Sequence, residues 1–322
     1  MKNLIMCAFA FKEGFQTSLQ TEKQAGEETT QMYLKNLFVA LSSAKLYNPM
    51  DDVCLVTNCK LPVEWQERFL NQGVLVKEIP FETFVIPPKF PWALAFYKLC
   101  ALHHMVENGR EYEHILMMDA DTYTVRSYEE LWQEADFGVL LFAVGHSFNH
   151  SDREIIRRDF MKYYPAEAAK KNIVHYGGEF VAGKRDKLQK YLECCEEIYE
   201  KLKAADFQME PHAGDETVWS IAAVLAKKEV SVTEAGAYLY RFWTGDFYLV
   251  STVTVSNPVC IWHIPNEKET GFVRLYEYYR KNGAFPKLPT VMKIFGMRKA
   301  SRPFNFYTLQ NKVAGKLKKF RK

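Results

Sequence analysis

One segment narrows the folding choices more than any other: the apolar run Ile115-Leu116-Met117-Met118, followed at once by Asp119-Ala120-Asp121. A short, wholly apolar run reads as a strand buried on both faces, and such strands belong to parallel sheets covered by helices. Ligands of open α/β sheets bind beyond the carboxyl ends of the strands. Two carboxylates one residue apart at that exit turn to the same side when the chain turns. Among buried neighbours such a pair is costly unless a cation neutralises it. A hard divalent ion, Mn²⁺ or Mg²⁺, would do so and keep positions open for phosphate oxygens. It would then stabilise a leaving diphosphate as a Lewis acid. The competing reading has Asp119 capping a turn and Asp121 in solvent; the apolar residues before the pair favour the metal.

The rest of the chain supplies a sheet for that strand. Residues 2–10, 52–57 and 74–79 read as buried strands, separated by helical patterns over 28–47 and 61–70, a βαβαβ alternation that predicts a parallel sheet. The four prolines between Pro80 and Pro91 exclude long regular structure there. A helix is expected over 92–107, ended by Asn108-Gly109, then the strand 114–118 and another over 137–144. Further expectations are a short helix near 154–163, a short strand over 180–182, helices over 186–204 and 216–226, and late strands at 230–232 and 259–263. The class is α/β: a single Rossmann-like domain with a mixed, mostly parallel central sheet flanked by helices.

The 322 residues are 48% hydrophobic and 25% charged, a soluble globular composition, and 15% aromatic. Aromatic rings suit a carbohydrate handler because sugars present flat C–H faces, although an aromatic-rich core explains them equally. Seven scattered cysteines without a CxxC pair read as reduced thiols. The first apolar run, Leu4–Phe11, is short and lacks a small-residue cleavage site, and no run is long enough to cross a membrane. These features predict a cytoplasmic protein, in which the Asn149-His150-Ser151 sequon has no role. The net charge of +3 hides an asymmetry, because no acidic residue follows Glu277 while thirteen basic ones do. We therefore expect two parts, 1–277 and a basic tail 278–322. In the tail Phe306, Leu309, Val313, Leu317 and Phe320 recur at helical steps between lysines, the pattern of an amphipathic helix that lies on the inner face of an anionic membrane. A solvated basic helix is the competing account, and no motif supports nucleic-acid binding.

Ile115 to Asp121 resembles the DxD segment of GT-A-fold glycosyltransferases, with the helix 92–107 before it and the strand 137–144 after it in the places that fold has them. The resemblance covers roughly residues 2–270. It implies Asp121 as a metal ligand, Asp119 as a partner of the ribose or metal, and Ala8, Phe9 and Ala10 at the end of the first strand against the nucleotide. Several such families carry a basic donor-binding residue on the preceding helix, which makes Lys98 a candidate.

Two further stretches add to this. His175-Tyr176-Gly177-Gly178-Glu179-Phe180-Val181-Ala182-Gly183, a long helix and then Gly214-Asp215-Glu216 are similar to the order found in retaining blood-group A/B and α-1,3-galactosyltransferases. That likeness implies that Asp215 contacts the donor sugar and that Glu216 faces the anomeric carbon, where an oxocarbenium-like centre needs an anion. A helix start with acidic residues in its first turn is the alternative. Gly177 and Gly178 allow close backbone approach to a sugar, or simply a turn. Cys260-Ile261-Trp262-His263, with Lys268 just beyond, resembles glycogenin-like transferases, in which the histidine is a third metal ligand and the lysine binds the diphosphate. That family's glycine between them and its Pro-Trp after the lysine are absent here. His103, His104 and His212 show no metal spacing, whereas His146, His150 and Asp152 are candidates to line an acceptor site.

The sum is a metal-dependent hexosyltransferase. It would use Mn²⁺ or Mg²⁺ and a UDP-sugar type donor, act with retention, and transfer to a glycan or lipid-linked glycan. A sugar nucleotidyltransferase is disfavoured because Ala8-Phe9-Ala10-Phe11 is not a glycine-rich loop. A non-enzymatic membrane- or polyanion-binding protein with a degenerate donor site is the remaining alternative.

Overall fold

The computed structural model describes residues 2–11, 26–87, 90, 93–145, 151–209, 214–242 and 259–297. In chain order the elements are β1 (Lys2–Phe9), α1 (Glu27–Tyr47), β2 (Asp52–Thr57), α2 (Val63–Leu70), β3 (Val74–Glu78), α3 (Tyr97–Asn108), β4 (Tyr112–Met118), β5 (Thr122–Thr124), α4 (Glu129–Ala135) and β6 (Val139–Ala143). There follow α5 (Ser151–Tyr163), α6 (Pro165–Ala168), β7 (Tyr176–Lys184), α7 (Arg185–Ala204), α8 (Gly214–Leu225), β8 (Val232–Glu234), β9 (Leu239–Arg241), β10 (Ile261–His263), α9 (Gly271–Asn282) and α10 (Leu288–Ile294).

The apolar runs become the centre of a seven-stranded sheet of order β3-β2-β1-β4-β7-β6-β8. β1 is parallel to both β2 and β4, β2 is parallel to β3, and β6 is parallel to β8. β7 runs against both its neighbours. The α/β expectation of a mixed, mostly parallel sheet with helices on both faces therefore holds. Met6, Met117 and Val181 face one core, shared with α3, α7 and α8, while Ile5, Leu116 and Phe180 face the other, shared with α1 and the small sheet described next. Residues of both sets are fully buried, which is why these strands show no polar alternation.

Several details differ from expectation. β7 extends back to Tyr176 rather than starting at Phe180, because the glycines at 177 and 178 are accommodated inside the strand. A three-stranded sheet of order β5-β10-β9 was not anticipated beyond β10, since strands of three residues leave too little pattern to read. β8 sits at Val232–Glu234 rather than 230–232.

The boundary at 277 is a correction. It falls inside α9, whose Phe272, Leu275 and Tyr276 are buried. The Tyr276 ring meets Phe38 of α1 edge-on at 5.3 Å, and Lys35 pairs with Glu277 at 2.9 Å. Beyond α9, Val291 and Phe295 are fully buried, and Phe295 packs its ring 4.7 Å from Phe272. Basic charge on the outer face obscured this apolar stripe, so 278–297 belongs to the fold rather than to a tail. The amphipathic pattern from Phe306 to Phe320 lies outside the described residues. Among the described residues no helix is long and apolar enough to cross a membrane.

This assignment predicts that Phe295→Ala lowers the unfolding free energy by about 3–5 kcal/mol, as for other fully buried aromatics, measured by urea denaturation. A change below about 0.5 kcal/mol, typical of surface positions, would place α10 outside the core.

Candidate metal centre and active site

Asp119 and Asp121 leave the end of β4 in a tight turn that three contacts hold. The Asp119 N–H donates to the Glu179 carbonyl at 3.0 Å, continuing the β4–β7 ladder by one bond. The Thr122 hydroxyl donates to the Asp119 carbonyl at 2.7 Å. The Ile264 N–H donates to the Asp121 carbonyl at 2.9 Å. In the antiparallel pairing of β5 with β10, His263 stands opposite Thr122, and this register brings the imidazole beside Asp121.

Asp119, Asp121 and His263 each offer one ligand atom, and the three atoms lie within 4.8 Å of one another. Asp121 is 1% exposed, and neither of its oxygens receives a well-directed hydrogen bond. Lys268 Nζ lies 2.8 Å from Asp121 Oδ2 and His263 Nε2 lies 3.3 Å from it, ion pairs that leave the carboxylate under-coordinated. Two carboxylates and an imidazole converging on one point form a group able to hold a metal ion.

The charges around it are strongly coupled. Burial pushes the Asp121 carboxyl up, but the Lys268 and His263 charges outweigh burial and hold it far below the usual carboxylate range. Burial raises Asp119, Lys98 opposes this, and the neighbouring Asp121 adds to it, so Asp119 stays above its ordinary value. Burial works against a charged His263, yet Asp121 and Glu179 bring it up to about 9.

On the other side of β4 a second set converges. Lys98 Nζ, from α3, lies 3.1 Å from Asp119 Oδ1 and 3.3 Å from Asp215 Oδ2, and donates to the Gly178 carbonyl at 2.8 Å. One ammonium thus ties the DxD turn to the first turn of α8. Asp215 also accepts from Trp219 Nε1 at 3.0 Å. Glu216 is partly exposed and meets the buried His175, Nε2 to Oε2, at 2.5 Å. A Cβ on Gly178 would lie 2.3 Å from Asp215 Oδ2, and one on Gly177 would lie 1.9 Å from Glu179 Oε2. The close approach these glycines permit is therefore to the protein's own carboxylates.

No protein-family model matches the chain, and no curated protein matches it. Its functional reading therefore rests on this geometry and on the motifs.

The structure brings Lys98, Asp119, Asp121, Gly177, Gly178, Asp215, Glu216, His263 and Lys268 to the same end of the sheet. Ala8, Phe9 and Ala10 lie at the adjoining exit of β1, where the following Phe11 N–H donates to Asn58 Oδ1 at 2.9 Å. Lys268, expected on a diphosphate, pairs with Asp121. Among the acceptor candidates, His146 and His150 lie outside the described residues, and Asp152 sits in the first turn of α5. Three residues were missed. Glu179 is buried at 2% exposure and accepts from Arg241 Nε at 2.8 Å. His175, partner of Glu216, is the third. A carboxylate within the apolar 176–184 run and an arginine within Leu239–Phe242 were the available signals. Glu113, His114 and Asp136, at the opposite end of the sheet beside a cavity of about 370 Å³, also cluster. There Lys184 pairs with both acids, and both imidazole nitrogens have partners in Asn3 and Asp136.

Because the folded-state pKa of His263 exceeds its ordinary 6.5, its charge contributes stability in full below 6.5 and loses that contribution as pH rises through about 9. In EDTA, the melting temperature of the wild type should fall more between about pH 7 and about pH 10 than that of His263→Gln. Parallel curves would remove the imidazolium from the account.

Proposed function

We propose that this protein is a metal-dependent glycosyltransferase of the GT-A type, using a nucleotide-diphosphate sugar as donor. The observation that carries the reading is the convergence of Asp119, Asp121 and His263 at the carboxyl end of β4, joined by one ammonium to Asp215. Asp121, Asp119 and His263 would hold the cation, and two oxygens with one imidazole suit Mn²⁺ somewhat better than Mg²⁺. When bound there, the ion would offset the charge that grows on the diphosphate as the sugar leaves.

The charge balance supports this. Asp119, Asp121, Glu179, Asp215 and Glu216 stand against Lys98, Arg241 and Lys268, with His175 and His263 as titratable partners. Setting the imidazoles aside, these five carboxylates outnumber the three fixed cations by two; in the unliganded site the charge on His263 offsets one of them, a charge that a metal ion on that imidazole would replace. Buried carboxylates are costly to keep for stability alone even when paired, which favours a role in binding.

In this reading the exit of β1 at Ala8–Ala10 lines the nucleotide. Lys268 and Lys98 stand near the diphosphate. Asp215 contacts the donor sugar, with the backbone of Gly177 and Gly178 alongside. Glu216, the most exposed of the five carboxylates, faces the anomeric carbon as nucleophile or charge stabiliser, and transfer proceeds with retention. The acceptor is a glycan or a lipid-linked glycan, and the basic C-terminal residues would hold the enzyme near a membrane carrying it. A sugar nucleotidyltransferase would need a glycine-rich phosphate loop after β1, where Ala8-Phe9-Ala10-Phe11 stands.

A melt against UDP- and GDP-sugars with and without Mn²⁺ tests the reading. A donor at a hundred times its Kd should stabilise by about 2.7 kcal/mol, and only with the metal present. Asp121→Asn should abolish both this shift and turnover, and should also lower the unliganded melt, because Lys268 and His263 lose their buried partner. Glu216→Gln should lower kcat by about 100- to 1,000-fold while keeping the donor shift. Full activity of Asp121→Asn would overturn the metal role, and unfolding of Glu216→Gln would make that residue structural.

A further inference from the structure

We propose that Glu179 is the positioning residue of the metal centre: its side-chain carboxylate sets the ring of His263 and its main-chain carbonyl sets Asp119. The proposal rests on the reading of Asp119, Asp121 and His263 as metal ligands, and it concerns a residue that neither the motifs nor the resemblance singled out.

Three observations meet at Glu179. First, its carbonyl accepts the Asp119 N–H at 3.0 Å, which fixes where the DxD turn begins. Second, its Oε1 lies 3.4 Å from His263 Nδ1, while His263 Nε2 lies on the Asp121 side, 3.3 Å from Oδ2. The contact at Nδ1 is long and off-axis, an ion-pair contact rather than a closed hydrogen bond. Were a cation to take the place of the proton at Nε2, a carboxylate facing Nδ1 would keep the remaining proton there. Ligating histidines in proteins generally donate their other N–H to such a partner, which orients the ring and raises its basicity. Third, the carboxylate is itself held. Arg241 Nε donates to Oε1 at 2.8 Å, and its neighbouring guanidinium nitrogen also contacts that oxygen. Gly177 leaves the space that Oε2 occupies, since a Cβ there would come within 1.9 Å of that oxygen and 2.8 Å of an Arg241 nitrogen.

The arrangement gives the small sheet a purpose. β9 ends in Arg241 and β10 ends in His263, paired side by side in register. Both side chains reach Glu179 of β7 in the main sheet. Glu179 therefore transmits the position of the three-stranded sheet to the metal ligands, and Gly177 is needed because that transmission occupies its side-chain space.

The test is titration of the full chain with Mn²⁺ alone, the free ion followed by electron paramagnetic resonance. Glu179→Gln should weaken Mn²⁺ binding about 10- to 100-fold, the usual effect of removing such a partner. In a double-mutant cycle the same change on a His263→Ala background should cost less than about twofold, because its target is gone. Gly177→Ala should also weaken Mn²⁺, by displacing the carboxylate. Should Glu179→Gln fail to fold because Arg241 loses this buried carboxylate, Glu179→Gln with Arg241→Met removes both charges, and the same 10- to 100-fold loss is expected. Wild-type affinity in either variant, or a full loss still added on the His263→Ala background, would overturn the proposal. Asp121→Asn separates the two readings. If wild type and Asp121→Asn are equally unable to bind Mn²⁺, the metal centre itself is wrong. If they differ and Glu179→Gln matches wild type, the metal centre stands and the positioning role falls.

Discussion

The structure turns on keeping acidic side chains buried at the carboxyl end of β4. Charge removed from water is stable only with close partners, and the attraction repays desolvation only when the geometry is good. Here the partners come from distant parts of the chain. Lys98 is on α3, Arg241 ends β9, and Lys268 follows β10. The pairs therefore fasten both faces of the sheet to one point. Lys98 reaches Asp119 and Asp215 from the α3–α7–α8 side, while Lys268 and His263 reach Asp121 from the side of the small sheet. Buried ion pairs can often be replaced by apolar residues of equal volume at equal or lower free energy, so stability alone is a weak reason to gather this many ionisable groups. On the proposed function, they are kept for chemistry done at the site.

The strands set the geometry that the charges exploit. Because β1 and β4 are parallel and adjacent, their carboxyl ends open together. β7 runs antiparallel beside β4, so its amino end, Tyr176–Glu179, arrives at the same opening. A parallel neighbour would have brought its carboxyl end there instead, and the two glycines would lie elsewhere. Small residues follow from that crowding, since side chains of Asp215, Lys98, Glu179 and Arg241 occupy the space that Cβ atoms at 177 and 178 would need.

Much of this was legible in the sequence, for definable reasons. Buried parallel strands announce themselves as unbroken apolar runs, so Leu4–Cys7, Val53–Val56 and Ile115–Met118 could be placed, and the exit of the last one marked the acidic pair. Asp215 and Glu216 were legible as a helix start, and His263 as the end of an apolar strand. What escaped depended on pairing across long separations. β5 and β9 are too short to show a period, and they exist because β10 lies between them. Glu179 and Arg241 lie 62 residues apart in sequence and become a pair only through the two sheets. Residues 278–297 carry the charge pattern of a tail, which hides the periodicity that puts Val291 and Phe295 in the core.

Lys268 joins the two halves of the functional argument. The resemblance to glycogenin-like transferases assigns it to a diphosphate, and the structure sets it 2.8 Å from Asp121 Oδ2. A divalent ion held by Asp121 would repel the nearby ammonium and so would weaken the hold of that carboxylate on Lys268. Phosphate oxygens of a bound donor would then restore an anion beside the ammonium. Lysine suits both positions, because its charge sits on a long flexible stem and needs no fixed fork geometry. On the proposed function, one side chain thus compensates Asp121 before the donor arrives and the diphosphate afterwards. The two assignments of Lys268 then describe successive partners of a single charge.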